Sequence, residues 1–133
     1  MSLDHLNLWA ILAATVSAFL IGGLWYSPVL FGRAWERANG FSESPQASPK
    51  VFAISFLLIL VMAVNLAMFL NDAKTTAAWG AIAGFLAGFG WAAMGLGVVA
   101  LFERRSWKYS MINGGYLTVA LTLMGLILGA WRK

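Results

Sequence analysis

Long runs of apolar residues dominate the chain, and the polar residues gather in the short stretches between them. A helix needs about 20 mostly apolar residues to cross the roughly 30 Å hydrocarbon core of a bilayer. Because a soluble helix needs a polar face, runs that are apolar all round predict transmembrane helices. Four segments fit this description and contain no Asp, Glu, Lys or Arg: Leu6–Trp25, Val51–Leu70, Ala77–Phe102 and Tyr109–Trp131.

The connection between the first two spans has helical spacing of its own. Ser27 and Pro28 have the chemistry of an N-cap followed by a first-turn proline, and Gly40 is typical of a helix C-terminal stop. We expect a short amphipathic helix over 28–39 at the membrane surface; the alternative is a solvated loop. Residues 41–50, which are rich in Ser and Pro, predict a flexible polar linker. The apolar side of the expected helix is formed by Leu30, Phe31, Ala34, Trp35 and Ala38.

The other connections are short, and their residues suit helix starts. Ser48 and Ser106 are expected N-caps, and the 71–76 link predicts that the second and third spans form an antiparallel hairpin. The first span is expected to be retained rather than cleaved, because no Lys or Arg precedes it. The expected fold is therefore one all-α membrane domain over 1–133. It contains four transmembrane helices in an antiparallel bundle, plus the surface helix between the first two.

Composition and charge narrow the class further. The chain is 61% hydrophobic and 11% charged, against about 25% charged in soluble domains. The absence of cysteine excludes disulfides and thiolate metal sites. The first and third connections hold six Lys or Arg residues, whereas the termini and the 71–76 link hold three. The positive-inside rule then predicts a multi-pass protein of the cytoplasmic membrane with both termini outside. The bilayer is the expected partner of these charges, and no nucleic acid is expected.

Small residues recur at four-residue spacing in three of the spans. In a bilayer such residues mark the faces on which helices approach each other closely. They predict either packing within one bundle, or a homo-oligomer interface, or both on different helices. The expected helix-packing residues are Ala14, Ala18, Gly22, Gly80, Gly84, Gly88, Gly125 and Gly129.

Polar residues inside or beside the spans form two groups once this topology is applied. The first group, on the cytoplasmic side, could line a pocket for a lipid headgroup, a quinone-like molecule or a small solute. In that pocket Phe31 would cover the other residues, and Glu103 would pair with Arg104. The alternative is that these residues are hydrogen-bonded helix contacts and interfacial anchors. The candidate ligand-binding residues are Trp25, Tyr26, Ser27, Trp35, Glu103, Arg104, Asn113 and Tyr116.

The second group, on the outer side, consists of Asn7, Asn65, Asn71 and Asp72, with His5 near it. Asn65 is the deepest member of this group, and we expect it to make an interhelical hydrogen bond. No catalytic residue, metal site or cofactor is predicted. The single His lies outside the spans, no carboxylate lies within them, and Ser has neither Cys nor His beside it to form a catalytic set.

Two stretches of the chain have a recognisable pattern. Together they resemble the bacterial membrane-protein family catalogued as domain of unknown function 1761, and the resemblance extends over nearly the whole chain. It implies a small four-helix protein of the cytoplasmic membrane and supplies no activity. The first stretch consists of N-L-W-A-I-L-A-A at 7–14 and G-L-W-Y-S-P-V-L-F-G at 23–32 with Trp35. The second consists of L-F-E at 101–103 with Arg105, I-N at 112–113 with G-Y at 115–116, and M-G at 124–125 with I-L-G at 127–129 and Trp131.

Three functions are compatible with these patterns. The first is a non-enzymatic membrane protein that acts as a homo-oligomer or as an accessory subunit of a membrane complex. The second is a transporter or channel for a small solute or lipid, which would need a polar path between the two groups. The third is an enzyme that uses Glu103 and Tyr116 on a lipid. The many helix-contact motifs and the lack of catalytic groups favour the first.

Overall fold

The computed structural model describes residues 6–40, 48–72 and 74–131. Within these ranges every regular element is a helix, and four of the helices are long and apolar enough to cross a membrane. His5, Arg132, Lys133 and most of the expected polar linker lie outside the described residues. The helices are α1 (Leu8–Trp25), α2 (Gly32–Asn39), α3 (Pro49–Phe69), α4 (Ala77–Phe102) and α5 (Trp107–Ala130). The middle of α4, Leu86–Ala93, is π-helical.

Side-chain oxygens determine where the four long helices begin. The Asn7 side chain accepts a hydrogen bond from the Ala10 backbone N–H, so α1 starts two residues later than expected. Ser48 and Ser106 cap α3 and α5 as predicted, and these helices start two residues earlier than the apolar runs. Thr76 caps α4. These caps satisfy amides that have no partner inside the helix.

The expected start of the short helix at Pro28 is wrong. The Ser27 hydroxyl donates to the Leu24 carbonyl oxygen at 2.7 Å instead of capping a new helix. Residues 28–31 form a turn, in which the Phe31 N–H donates to Trp25 O and the Gly32 N–H donates to Ser27 O, both at 2.9 Å. A Cβ at Gly32 would overlap the backbone of residues 26–27, so the turn requires glycine there. Helix α2 therefore begins only at Gly32.

Helix α4 packs along α5 through the glycines of both helices. Gly80 faces Gly125 and Gly129, whereas Gly88, further along α4, faces Thr118, which lies earlier in α5. The two helices therefore run in opposite directions along the contact. A Cβ on Gly80 or on Gly125 would overlap the other helix's backbone. In a bilayer, where the lipid tails are as apolar as the helix surfaces, van der Waals contact at such a short separation is what holds two helices together.

Helix α1 lies against both α5 and α3. Ala14 and Ala18 are buried, and a Cβ on Gly22 would come within 3.2 Å of the Tyr116 hydroxyl. Ala14 and Ala18 thus pack inside the chain, and Gly22 faces Tyr116 of α5. The link 71–76 does not produce a packed hairpin, however, because α3 packs chiefly on α1 whereas α4 packs on α5.

We predict that Gly84→Ala lowers the free energy of unfolding by about 1–3 kcal/mol, because its methyl group would overlap the Leu121 carbonyl oxygen. Gly23→Ala is the matched control, since a Cβ there meets nothing within 4 Å. It should leave stability unchanged or raise it slightly, because alanine is the better helix former. Detergent-micelle unfolding followed by circular dichroism measures both. Equal stabilities would contradict the close α4–α5 contact.

Candidate functional site

The end of α1 is hydrogen-bonded to the first turns of α5. The Trp25 Nε1–H donates to the Ile112 carbonyl oxygen at 2.8 Å. The next residue, Tyr26, donates from its hydroxyl to Asn113 Oδ1 at 2.5 Å. Each bond joins residues 87 positions apart in the chain. The W-Y-S-P motif at 25–28 and the I-N-x-G-Y motif at 112–116 therefore meet directly.

Aromatic rings enclose these hydrogen bonds. The Phe31 ring lies 4.6 Å from that of Trp25. Trp35, on α2, lies edge-on to Tyr26 at 5.3 Å, and Tyr116, on α5, lies edge-on to it at 5.6 Å. Such edge-to-face pairs add stabilisation beyond the apolar area that they bury. We call this cluster the aromatic junction; its members are Trp25, Tyr26, Phe31, Trp35, Asn113 and Tyr116.

Two glycines provide the space that the large rings of the aromatic junction occupy. A Cβ on Gly115 would come within 2.9 Å of the Trp25 ring. A Cβ on Gly22 would come within 3.2–3.4 Å of Tyr116. Gly115 was not among the predicted contact residues, although it lies between Asn113 and Tyr116 in the I-N-x-G-Y motif. The signal was present, because a glycine beside a predicted contact residue often marks a close approach.

The indole N–H of Trp25, the hydroxyls of Tyr26 and Tyr116 and the Asn113 side chain are already hydrogen-bonded within the protein. The Tyr116 hydroxyl donates to the Ala18 carbonyl oxygen at 2.9 Å, and the Asn113 amide donates to the Tyr109 carbonyl oxygen at 3.0 Å. Across the described residues, no buried side-chain nitrogen or oxygen lacks a partner. The arrangement is that of a helix-to-helix contact, and a ligand that required the protons of Trp25, Tyr26 or Tyr116 would have to displace one of these bonds.

Tyr26, one residue beyond α1, remains protonated. Burial raises the pKa of its hydroxyl well above the usual range, and the nearby Tyr116 and Tyr109 raise it further. A hydroxyl that keeps its proton remains a donor to Asn113 over the whole physiological pH range. The aromatic junction is thus held by neutral hydrogen bonds that ordinary pH changes leave intact.

Three predicted site residues lie apart from these bonds. Ser27 bonds to its own helix end, as described above. Glu103 is paired with Arg105 at 3.7 Å rather than with Arg104, so the expected Glu103–Arg104 pair is wrong. Arg104 has a φ of 59°, a left-handed conformation at the turn out of α4, which leaves the next residue to face Glu103.

Arg105 is the residue that sequence analysis missed at this face. Its guanidinium lies 4.8 Å from the centre of the Tyr109 ring and donates to Asn39 Oδ1 at 3.3 Å. It therefore links the 103–106 turn to the end of α2. Its place in the L-F-E-x-R stretch at 101–105 is the only feature of the sequence that indicated this role. Because both contacts are exposed, each contributes little stability by itself.

The outer-side group does not form one site. The Asn7 amide donates to the Trp131 carbonyl oxygen at 3.3 Å, and Asn7 and Asn71 line a cavity of about 20 Å³, the size of a single water molecule. Asn65 lies elsewhere. It is exposed on α3 and makes no hydrogen bond to any residue that the structure describes. The interhelical hydrogen bond expected from Asn65 is therefore wrong for the single chain.

A comparison with known protein families matches residues 9–129 to the family described as protein of unknown function DUF1761. The chain belongs to the DUF1761 family. Comparisons with curated proteins and with solved structures found no match. The match covers both stretches on which the resemblance rested, except Asn7 and Leu8 at the start and Trp131 at the end. In this DUF1761 chain, those stretches supply every residue of the aromatic junction.

We predict that Tyr26→Phe lowers the free energy of unfolding by about 1 kcal/mol, because it removes the donor to Asn113. Tyr109→Phe is the control, since the Tyr109 hydroxyl has no hydrogen-bond partner within the described ranges. A double-mutant cycle of Tyr26→Phe with Asn113→Leu should give a coupling of about 0.5–1.5 kcal/mol. A coupling near zero, or equal losses for the two Tyr→Phe variants, would rule out a stabilising role for this bond.

Proposed function

We propose that this DUF1761 chain is a non-enzymatic, multi-pass protein of the cytoplasmic membrane that acts by associating with other membrane helices, in the first instance with copies of itself. The four long helices would form an antiparallel bundle, with both termini outside and α2 at the cytoplasmic surface. Three observations support the proposal. They are the unpartnered Asn65, the apolar helix face around it, and the hydrogen bonds that already occupy the candidate ligand-binding residues.

Asn65 is the observation that carries the proposal. It lies four residues before the end of α3, within a helix that is long and apolar enough to cross a membrane. Its amide can donate two hydrogen bonds and accept two, and hydrocarbon supplies none. An exposed, unpaired amide in such a helix is destabilised unless another protein group meets it.

The neighbouring residues on α3 suit a second helix. Val61 and Leu58 lie one and two turns before Asn65 and are 66% and 62% exposed. This spacing places all three on one side of α3. In a two-fold symmetric pair the same face would meet itself, so that each Asn65 amide could bond to its counterpart. A second copy is therefore the simplest partner. An accessory-subunit role would use the same face on a different helix.

The alternative of a transporter or channel requires a polar path between the two groups of polar residues. In the described core between Tyr116 and Asn7, the buried side chains are chiefly Ala, Leu, Ile and Met. Thr15 is the polar exception, and its hydroxyl is bonded to the Ile11 carbonyl oxygen at 2.8 Å. The interior of one chain therefore favours packing over conduction.

We expect the proposed topology to appear in single-cysteine labelling, which is clean because the chain has no cysteine. Arg33→Cys and Lys108→Cys, at exposed positions, should react with a membrane-impermeant maleimide only after the cells are opened. Lys74→Cys should react in intact spheroplasts. The orientation would be refuted if Lys74→Cys were protected while the other two reacted.

Self-association should appear as disulfide cross-linking of Val61→Cys under mild oxidation in native membranes. Adding Asn65→Leu should abolish the cross-linked dimer, because it removes the amide and keeps the side-chain volume. Val98→Cys, which is 56% exposed on α4, is the matched control and should remain monomeric. Equal cross-linking at positions 61 and 98, or no effect of Asn65→Leu, would overturn the proposal. Native mass spectrometry of Asn65→Leu then distinguishes a lost second copy from a lost different subunit.

A further inference from the structure

A cleft of about 220 Å³ lies among α1, α3 and α5. Its walls include Ser55 and Met62 of α3 and Tyr116 and Ala120 of α5, with Ala18 of α1 behind them. Leu58 also lines it and is 62% exposed, so the cleft reaches the outer surface of the helices. Because α3 packs mainly on α1 and only lightly on α5, the gap between α3 and α5 is left unfilled. The opening faces the region that lipid would occupy.

The cleft is polar at one end and apolar at the other. Helices α3 and α5 both run opposite to α1, and thus in the same direction past the cleft. Ser55 and Tyr116 come first along their helices, and Met62 and Ala120 come later. Seven residues of α-helix separate Ser55 from Met62, a rise of about 10 Å. The cleft therefore extends about 10 Å along α3 with its hydroxyls at one end, which suits one lipid chain with its head at the Ser55 end.

The two hydroxyls at the polar end have complementary hydrogen-bonding capacity left over. Tyr116 uses its proton on the Ala18 carbonyl oxygen, so its own oxygen can still accept. Ser55 has no hydrogen-bond partner in the part of the chain that the structure describes, so its hydroxyl can still donate. A head group that accepts from Ser55 and donates to Tyr116 would satisfy both. A neutral O–H group, in an alcohol or in a protonated carboxyl, does this with one functional group.

We propose that this cleft binds a single-chain lipid with a neutral hydroxyl-bearing head, a long-chain alcohol or a protonated fatty acid. The head lies at Ser55 and Tyr116, and the chain runs past Ile59 and Met62 before it continues into the bilayer. The volume is below the roughly 300–1,000 Å³ of pockets for bulkier ligands, which favours one chain over two. The walls of the site come from one chain, but Leu58 at its opening also belongs to the face proposed for self-association, so the two proposals are tested separately.

The test is photo-cross-linking of the full chain in phosphatidylcholine nanodiscs. The probes are hexadecanol and palmitic acid with a diazirine in mid-chain, and the methyl ether of the same hexadecanol. We expect both O–H probes to label residues between Ile59 and Met62 or near Ala120. The ether, which cannot donate to Tyr116, should label these residues about fivefold less at equal concentration. The alcohol and acid arms identify which source of the O–H head is preferred.

Variants keep the proposal falsifiable. Ser55→Ala should reduce hexadecanol labelling about fivefold, and Ser55→Leu, which also fills the cleft, should abolish it. Ser17→Ala is the matched control, because the Ser17 hydroxyl is bonded to Ala14 O within α1 and does not line the cleft. Equal labelling by the alcohol and its ether, or labelling unchanged in Ser55→Leu, would overturn the site. Labelling retained in Asn65→Leu separates this site from the proposed self-association.

Discussion

Hydrocarbon offers no hydrogen-bond partner, and this constraint accounts for the position of nearly every polar side chain in the spans. Thr15, Thr118 and Thr122 return their hydroxyl protons to carbonyl oxygens of their own helices. Trp25 and Tyr116 donate across to another helix instead, and these bonds fix how α1 lies on α5. Where a polar group finds no partner inside the chain, the same constraint indicates that something outside must supply it.

Close backbone approach is the second consequence of the apolar solvent. Because the hydrocarbon contains no water, burial of apolar side chains does not drive helices together there, and helices associate where small residues allow close contact. Helix α5 offers Gly125 and Gly129 to α4, and Gly115 to the Trp25 ring. Helix α3, whose apolar side chains are large along much of its length, packs chiefly on α1 instead. The cleft between α3 and α5 is the space that this unequal distribution of glycine leaves.

The parts of the fold that depend on local sequence were predictable. Apolar runs fix the four spans to within two residues, because the length of a span and its caps are local properties. The start of α2 could not be predicted, because the Ser27 hydroxyl donates to Leu24 O and only the folded turn reveals that bond. The helix pairing was not predictable either. A short link brings α3 and α4 together in the chain, but the glycines of α5 determine which helix α4 contacts.

The candidate site divides in the same way. The predicted topology puts the W-Y-S-P and I-N-x-G-Y motifs at the same end of the bundle. The direct Tyr26–Asn113 bond could not be deduced from it, because that bond depends on how the end of α1 lies against the first turns of α5. Once that bond is known, the residues that identify the family have a structural role, and the protons of Trp25, Tyr26 and Tyr116 are donated within the chain. Asn65 and Ser55 lie outside the motifs: both are on α3, a helix that the aromatic junction does not include, and each has hydrogen-bonding capacity that the described chain leaves unused.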